Sequence, residues 1–150
     1  MRIRHGDDLS FEIRAPETMN QFKIPKLCLQ LVVENAIKFS TKTRPPWQIS
    51  VTDQLFPDSW ELQVIDNGPG FTEEKLAELQ EEINEINRTG TLPNLEINGM
   101  GLMNIYIRFK MLYHENHIFR LANHEPHGAV VTIGGKIIWN TLSWLRTTNI

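Results

Sequence analysis

The sequence predicts an α+β domain: helices packed on one face of a sheet in which several strand pairs are antiparallel. Three observations carry this expectation. Short segments of apolar–polar alternation recur along the chain, as half-buried strands require. Segments with apolar residues at helical spacing lie between them. Short turn-rich links join neighbouring strand segments, which favours antiparallel hairpins.

The elements follow in order. Residues 9–14, LSFEIR, alternate like a strand. Residues 15–21 form a loop punctuated by Pro16 and Asn20. Pro25 stands at a first-turn position, and residues 26–39 read as a mostly buried helix. Residues 47–52 and 60–65 both alternate, and Phe56-Pro57-Asp58-Ser59 between them supplies a turn, so the two should pair as a hairpin. Thr72 followed by Glu74 and Lys75 marks a helix start running to about Asn87. Residues 88–98 contain Gly90 and Pro93 and read as a loop. Leu102, Ile105, Phe109 and Leu112 place a second amphipathic helix over residues 101–113. Residues 117–122 and 129–133 read as two more strands, and Gly134-Gly135 as a turn. The remaining tail suits a helix by its Ile138, Leu142 and Leu145, and a strand by its β-branched start.

Composition bounds the function. A chain of 150 residues favours one domain. With 41% hydrophobic and 22% charged residues it is ordinary globular material. A net charge of -3 argues against a general grip on nucleic acid. A single cysteine, Cys28, excludes an internal disulfide framework and a Cys-rich zinc site, and its apolar helix favours a core role. No apolar run is long enough to span a bilayer, and the opening MRIRHGDDLS carries no apolar signal region. Residues 73–85 hold six acids and one lysine, which reads first as a solvated helical face.

Three places break the local structural logic, and such breaks are where function tends to sit. The first is Asn35, at the end of the apolar run LCLQLVV-E-N. Leu31, Asn35 and Lys38 are spaced to share one helix face. An amide oxygen and an ammonium one turn apart suit a magnesium–polyphosphate complex, because magnesium takes few protein ligands and keeps its waters. A buried Asn bonded to backbone, with Lys38 in solvent, explains the same residues. The second is Asp66-Asn67-Gly68-Pro69-Gly70. A carboxylate ending an apolar strand can accept from the exocyclic amine of adenine, and glycines let a flat ring approach the backbone. A plain tight turn is the competing explanation. The third is Gly99-Met100-Gly101 before the second amphipathic helix, whose unpaired N–H groups suit phosphate. A lone Gly-x-Gly is weak, and no P-loop motif occurs in the chain.

Taken together, and in this order, the three are far more specific. The stretches IPKLCLQLVVENAIKFS, VIDNGPGF and GMGLMNIYIRFKMLY resemble the N, G1 and G2 boxes of the Bergerat or GHKL ATP-binding fold. They are most similar to the catalytic domain of LytS/YesM-type sensor histidine kinases, and IRHGDDLSFEI resembles the strand entering that domain.

The resemblance implies a two-layer α/β sandwich with a mixed, mostly antiparallel sheet over residues 1–136, and residues 137–150 as an extension. It implies transfer of the γ-phosphoryl of ATP, with Mg2+, to a histidine on a separate dimerisation domain, and a response regulator downstream. The domain would be the cytoplasmic part of a membrane-bound sensor, itself touching neither membrane nor nucleic acid. Asn35 would be the magnesium ligand and, with Lys38 at the phosphates, the catalytic pair. Asp66 would bind the adenine amine, and Gly68 and Gly70 would form the pocket wall. Gly99 and Gly101 would hinge a lid over residues 71–98. Leu102 and Asn104 would complete the nucleotide contacts. Hydrolytic relatives carry a glutamate base where Leu31 stands here, which fits transfer to protein rather than to water. The chain departs from the family pattern at Ile97, at Phe39-Ser40 and at Ala129, where Gly, His-Gly and Thr are usual. A nucleotide-binding module without kinase activity and a serine kinase of the anti-sigma type are the other readings. His5, His114, His117, His124 and His127 match no phosphoacceptor motif and read as loop or strand-end residues rather than metal pairs. Asn87-Arg88-Thr89 matches a glycosylation sequon without a secretion signal beside it. Trp139, Trp144 and Leu145 would close the core or form an association patch.

Overall fold

A computed structural model describes residues 2–5, 8–14, 26–91 and 101–137. The expectations for the loop at residues 15–21, Pro25, the Cys28 side chain, Ile97, Gly99 and the tail from residue 138 lie outside the described residues.

The strands are β1 (Arg2–His5), β2 (Leu9–Arg14), β3 (Trp47–Leu55), β4 (Ser59–Asp66), β5 (His117–Asn123) and β6 (Ala129–Lys136). The helices are α1 (Lys26–Ser40), α2 (Glu73–Thr89) and α3 (Leu102–Tyr113), with a short 3-10 turn at His114–Asn116. The sheet has six strands in the order β1-β2-β3-β4-β6-β5. The β2–β3 pair is parallel, as a crossover through α1 allows. The other described pairs are antiparallel. The expected mixed, mostly antiparallel sheet is therefore found, with the opening segment folded as two strands rather than one.

One face of the sheet is apolar and covered. Ile49 and Val51 of β3, Leu62 and Val64 of β4, and Val131 and Ile133 of β6 form one buried cluster with Val32 and Ala36 of α1 and Ile105 and Phe109 of α3. Leu79 of α2 joins it, and Ile83 and Ile86 pack with Tyr106 and Ile107 in a smaller cluster. Alternation turns Gln48, Ser50, Glu61, Gln63 and Thr132 to the other face.

Local chemistry sets the boundaries. Thr72 caps α2 as expected: its Oγ1 accepts from the Lys75 N–H at 3.1 Å. The helix runs two residues past the expected Asn87, to Thr89, and ends on Gly90 at φ 67, whose N–H donates to the Ile86 carbonyl at 2.9 Å. Phe56 donates to the Ser59 carbonyl at 2.8 Å and closes the β3–β4 hairpin. Gly134-Gly135 is not a turn. Both lie inside β6, opposite Glu61 and Trp60 of β4. A side chain at Gly134 would collide with the Trp60 carbonyl, and one at Gly135 would press on its indole. The glycines mark a close backbone approach within the sheet.

Candidate functional site

Asp66 ends β4 on the covered face and is only 5% exposed. Its Oδ1 accepts from the N–H groups of Gly68 at 2.8 Å and Ala129 at 3.3 Å. Burial pushes its carboxyl above the ordinary carboxylate value, while those two N–H groups and the charge of His124 pull it back.

The loop after it is held at three points. Asn67 Oδ1 accepts from the Gln48 N–H at 2.8 Å, and its Nδ2 donates to the Pro46 carbonyl at 2.9 Å. Gly68 packs so tightly that a Cβ there would meet Asp66 Oδ1 at 2.9 Å and the Ser40 Cα at 3.0 Å. Gly70 has φ 75, and Asn123 holds the backbone of Phe71 just after it.

Asn35 lies on α1 and is 4% exposed. It lines a narrow cleft together with Ala36, Phe39, Asp66, Gly70, Phe71, Ala129 and Val131. The cleft is about 10 Å³, room for about one water. An amide oxygen and a carboxylate from different elements thus share one cavity.

The structure places the other expected residues as follows. Gly68 backs Asp66. Lys38 is exposed on the last turn of α1 and does not line the cleft, so the face shared with Asn35 runs from cavity to solvent. Gly101 caps α3 without a side chain, leaving the first-turn N–H groups of that helix without a side-chain acceptor at the cap. Leu102 belongs to the core cluster, and Asn104 is buried in the first turn of α3. Within the expected lid, residues 71–89 are tied to the body, by Asn123 at Phe71 and by Leu79, Ile83 and Ile86 of α2.

Sequence reasoning missed the bracing residues. Asn67 reads as a turn residue and Asn123 falls just outside the expected strand at residues 117–122, while their partners lie 19 to 52 positions away. His127, whose Nδ1 lies 2.8 Å from the Asn67 carbonyl, is missed for the same reason. Phe39 and Phe71 carry the signal that was available: each adjoins a singled-out motif and is apolar. Asn87, in the sequon, is already engaged, since its Oδ1 accepts from the Tyr106 hydroxyl and from Lys110 Nζ, both at 2.6 Å.

A helix-covered sheet with an amide-and-carboxylate cleft at one end defines a class, and most of the sequence agrees with it. The chain belongs to the family of histidine kinase-, DNA gyrase B- and HSP90-like ATPases, whose model matches residues 22–137. It is an ATP-binding domain of the kind found in sensor histidine kinases. Among its relatives are the sensor proteins LytS of two Streptococcus agalactiae strains, serotypes V and III, each 34% identical over 117 residues. That match covers 75% of this chain and 18% of each LytS, so the chain spans under a fifth of their length. The catalytic domain of histidine kinase ThkA shares the fold, with TM-score 0.55 and 19% identity over 86% of this chain and 78% of that one. The mycobacterial sensor histidine kinase MprB does so with TM-score 0.52 and 20% identity, over 86% and 82%. No helix among the described residues is long and apolar enough to cross a membrane.

Proposed function

We propose that this chain is the catalytic part of a two-component sensor histidine kinase and that its ATP sits in the cleft between α1 and the Asp66 loop. Residues 1–136 are the catalytic domain and residues 137–150 an extension. The observation that carries the reading is the shared cavity of Asn35 and Asp66. Asp66 accepts from the exocyclic amine of adenine. Gly68 and Gly70 let the ring approach the backbone, and Phe39, Phe71 and Val131 supply apolar walls. The cleft must widen to admit a purine, since it now has room for about one water.

Mg2+ fits the donor set. Asn35 offers one neutral oxygen beside the cavity, and this ion characteristically completes its shell with water and phosphate oxygens. When bound, it would neutralise charge on the phosphates. Lys38, free to swing in solvent, reaches the triphosphate as it leaves the cleft. Exposed Gly101 at the start of α3, and buried Leu102 and Asn104, support the phosphate end, together with Gly99.

An imidazole nitrogen of the acceptor histidine attacks the γ-phosphorus. The bond to the β–γ bridging oxygen breaks, and ADP leaves. This domain contributes positioning and charge neutralisation rather than a base. That fits α1, where Leu31 stands one turn before Asn35, and Glu34 accepts from Gln30 Nε2 at 2.9 Å on the flank of the helix. The partners are a dimerisation domain carrying the acceptor and a response regulator downstream. The domain is placed on the cytoplasmic side of a membrane-bound sensor.

Incubation with labelled ATP and a purified acceptor helix tests the reading. Acid-labile label on histidine is expected. Acid-stable label would assign a serine kinase, and bound ATP without transfer to a competent acceptor would leave a binding module. Calorimetry tests the metal assignment. Asn35→Ala should flatten the magnesium dependence of ATP binding and leave adenosine binding largely intact. An unchanged magnesium response would remove Asn35 from that role.

A further inference from the structure

Several side chains join the Asp66 loop to the β5–β6 hairpin: Asp66 accepts from the Ala129 N–H, His127 Nδ1 lies 2.8 Å from the Asn67 carbonyl, and Asn123 holds the far end of the loop at Phe71. Asn123, the last residue of β5, accepts from the Phe71 N–H through Oδ1 at 2.7 Å and donates through Nδ2 to the Phe71 carbonyl at 2.9 Å. The amide therefore grips both polar groups of one residue across 52 positions of sequence. The two bonds fix each other, because only one orientation of the amide satisfies both. Phe71 lies on the wall of the cleft that holds Asn35 and Asp66.

The Phe71 side chain packs against the core, and the backbone beside it lies close to the hairpin. Gly70 sits at φ 75, and a Cβ there would meet the Gly128 carbonyl at 2.7 Å and Asn123 Oδ1 at 2.9 Å. Gly128, at φ 123, has no room for a side chain against the Asp66 carbonyl. The hairpin and the loop thus pack backbone to backbone, and Asn123 supplies the side-chain hydrogen bonds across that seam at Phe71. Asn123 itself is exposed at the strand end and contributes nothing to the buried core.

We infer that Asn123 is a positioning residue of the nucleotide site: by gripping the Phe71 backbone it sets the wall against which the purine docks. The inference rests on the reading that this cleft takes adenine. Its consequence is selective. Loosening Phe71 should weaken contacts to the base and leave those to the metal and phosphates alone.

The test is calorimetric titration of wild type, Asn123→Ala and Asn123→Asp with adenosine and with Mg-ATP, alongside thermal melts without ligand. Asn123→Ala should raise the Kd for both ligands by the same factor, about tenfold if both hydrogen bonds are lost. Asn123→Asp keeps the acceptor and gives up the donor, so it should fall between. The magnesium dependence should match wild type. A folded alanine variant with wild-type adenosine affinity, or a loss confined to Mg-ATP, overturns the inference while leaving the cleft assignment standing. A wild type that binds neither ligand overturns the cleft assignment itself. Amide hydrogen exchange gives a readout needing no variant. Adenosine should further slow exchange at the Phe71 N–H, and an unchanged rate there would count against the positioning role.

Discussion

Asp66 gives up most of its hydration and recovers two backbone N–H groups in exchange, with no directly bonded cation among the described residues. Burial dominates, so its carboxyl holds a proton more tightly in the folded chain than in the unfolded one. The sign for stability follows. The favourable contribution of this group is complete in acid, below the unfolded value of 3.8, and is lost as pH rises through the raised folded value. The sign for binding is opposite, because the adenine amine needs an unprotonated acceptor. Adenosine affinity should therefore fall as pH drops through the raised value. Asp66→Asn separates the two effects. Its oxygen can still accept from Gly68 and Ala129, but its amide now faces another donor. We expect a higher melting midpoint without ligand at neutral pH, together with a loss of about 1.5–3 kcal/mol in adenosine binding, the range for a hydrogen bond to a charged group. Equal affinity for wild type and variant in calorimetry would remove Asp66 from the base pocket.

Helix α2 shows how far local chemistry reaches. Thr72 satisfies one of the orphan N–H groups, and Glu73 and Glu74 sit in the first turn where the helix dipole favours acids. Thr72→Ala should cost about 1 kcal/mol, a fall of roughly 2–4 °C in melting midpoint for a chain of this size. It should leave nucleotide affinity unchanged, since Thr72 does not line the cleft. A change in affinity without a change in melting would reverse that assignment. Elements of this kind were legible, because caps, alternation and helical spacing act over a few residues. The helices, the β3–β4 hairpin and Asp66 at a strand end could all be read that way. Gly134 and Gly135 were misread because a glycine pair signals a turn only when no neighbouring strand presses on it, and Trp60 lies 75 positions from Gly135. The opening strands were underread, since β1 is defined by pairing with β2 rather than by its own pattern. The site divides in the same way. Asn35 and Asp66 announce themselves as polar residues in apolar runs, whereas Asn67, Asn123 and His127 matter only through partners that the fold supplies.

At the scale of the molecule the sheet is a partition. Its covered face holds the core and the cleft, and its other face carries polar side chains, of which Glu61 and Thr132 are buried. Glu61 is the demanding case there. Its side chain is only 9% exposed, and Arg120 Nη2 donates to it at 2.6 Å from a half-exposed position. Glu61 is on β4 and Arg120 on β5, so this pair spans β6 between them. It ties together the half of the sheet that also carries Asp66 and Asn123. Removing the arginine leaves a buried carboxylate short of its charged donor, whereas removing both charges leaves no buried charge without a counter-ion. Arg120→Met should therefore lower the unfolding free energy by about 1–3 kcal/mol, and adding Glu61→Gln should restore part of that loss. Urea denaturation of the two single variants and the double variant gives the coupling directly. Because the pair lies on the face away from the cleft, adenosine affinity should stay at the wild-type value in all three. If the double variant were no more stable than Arg120→Met, the pair would be only a surface contact. If affinity fell along with stability, the sheet would be transmitting strain to the cleft rather than separating the two faces.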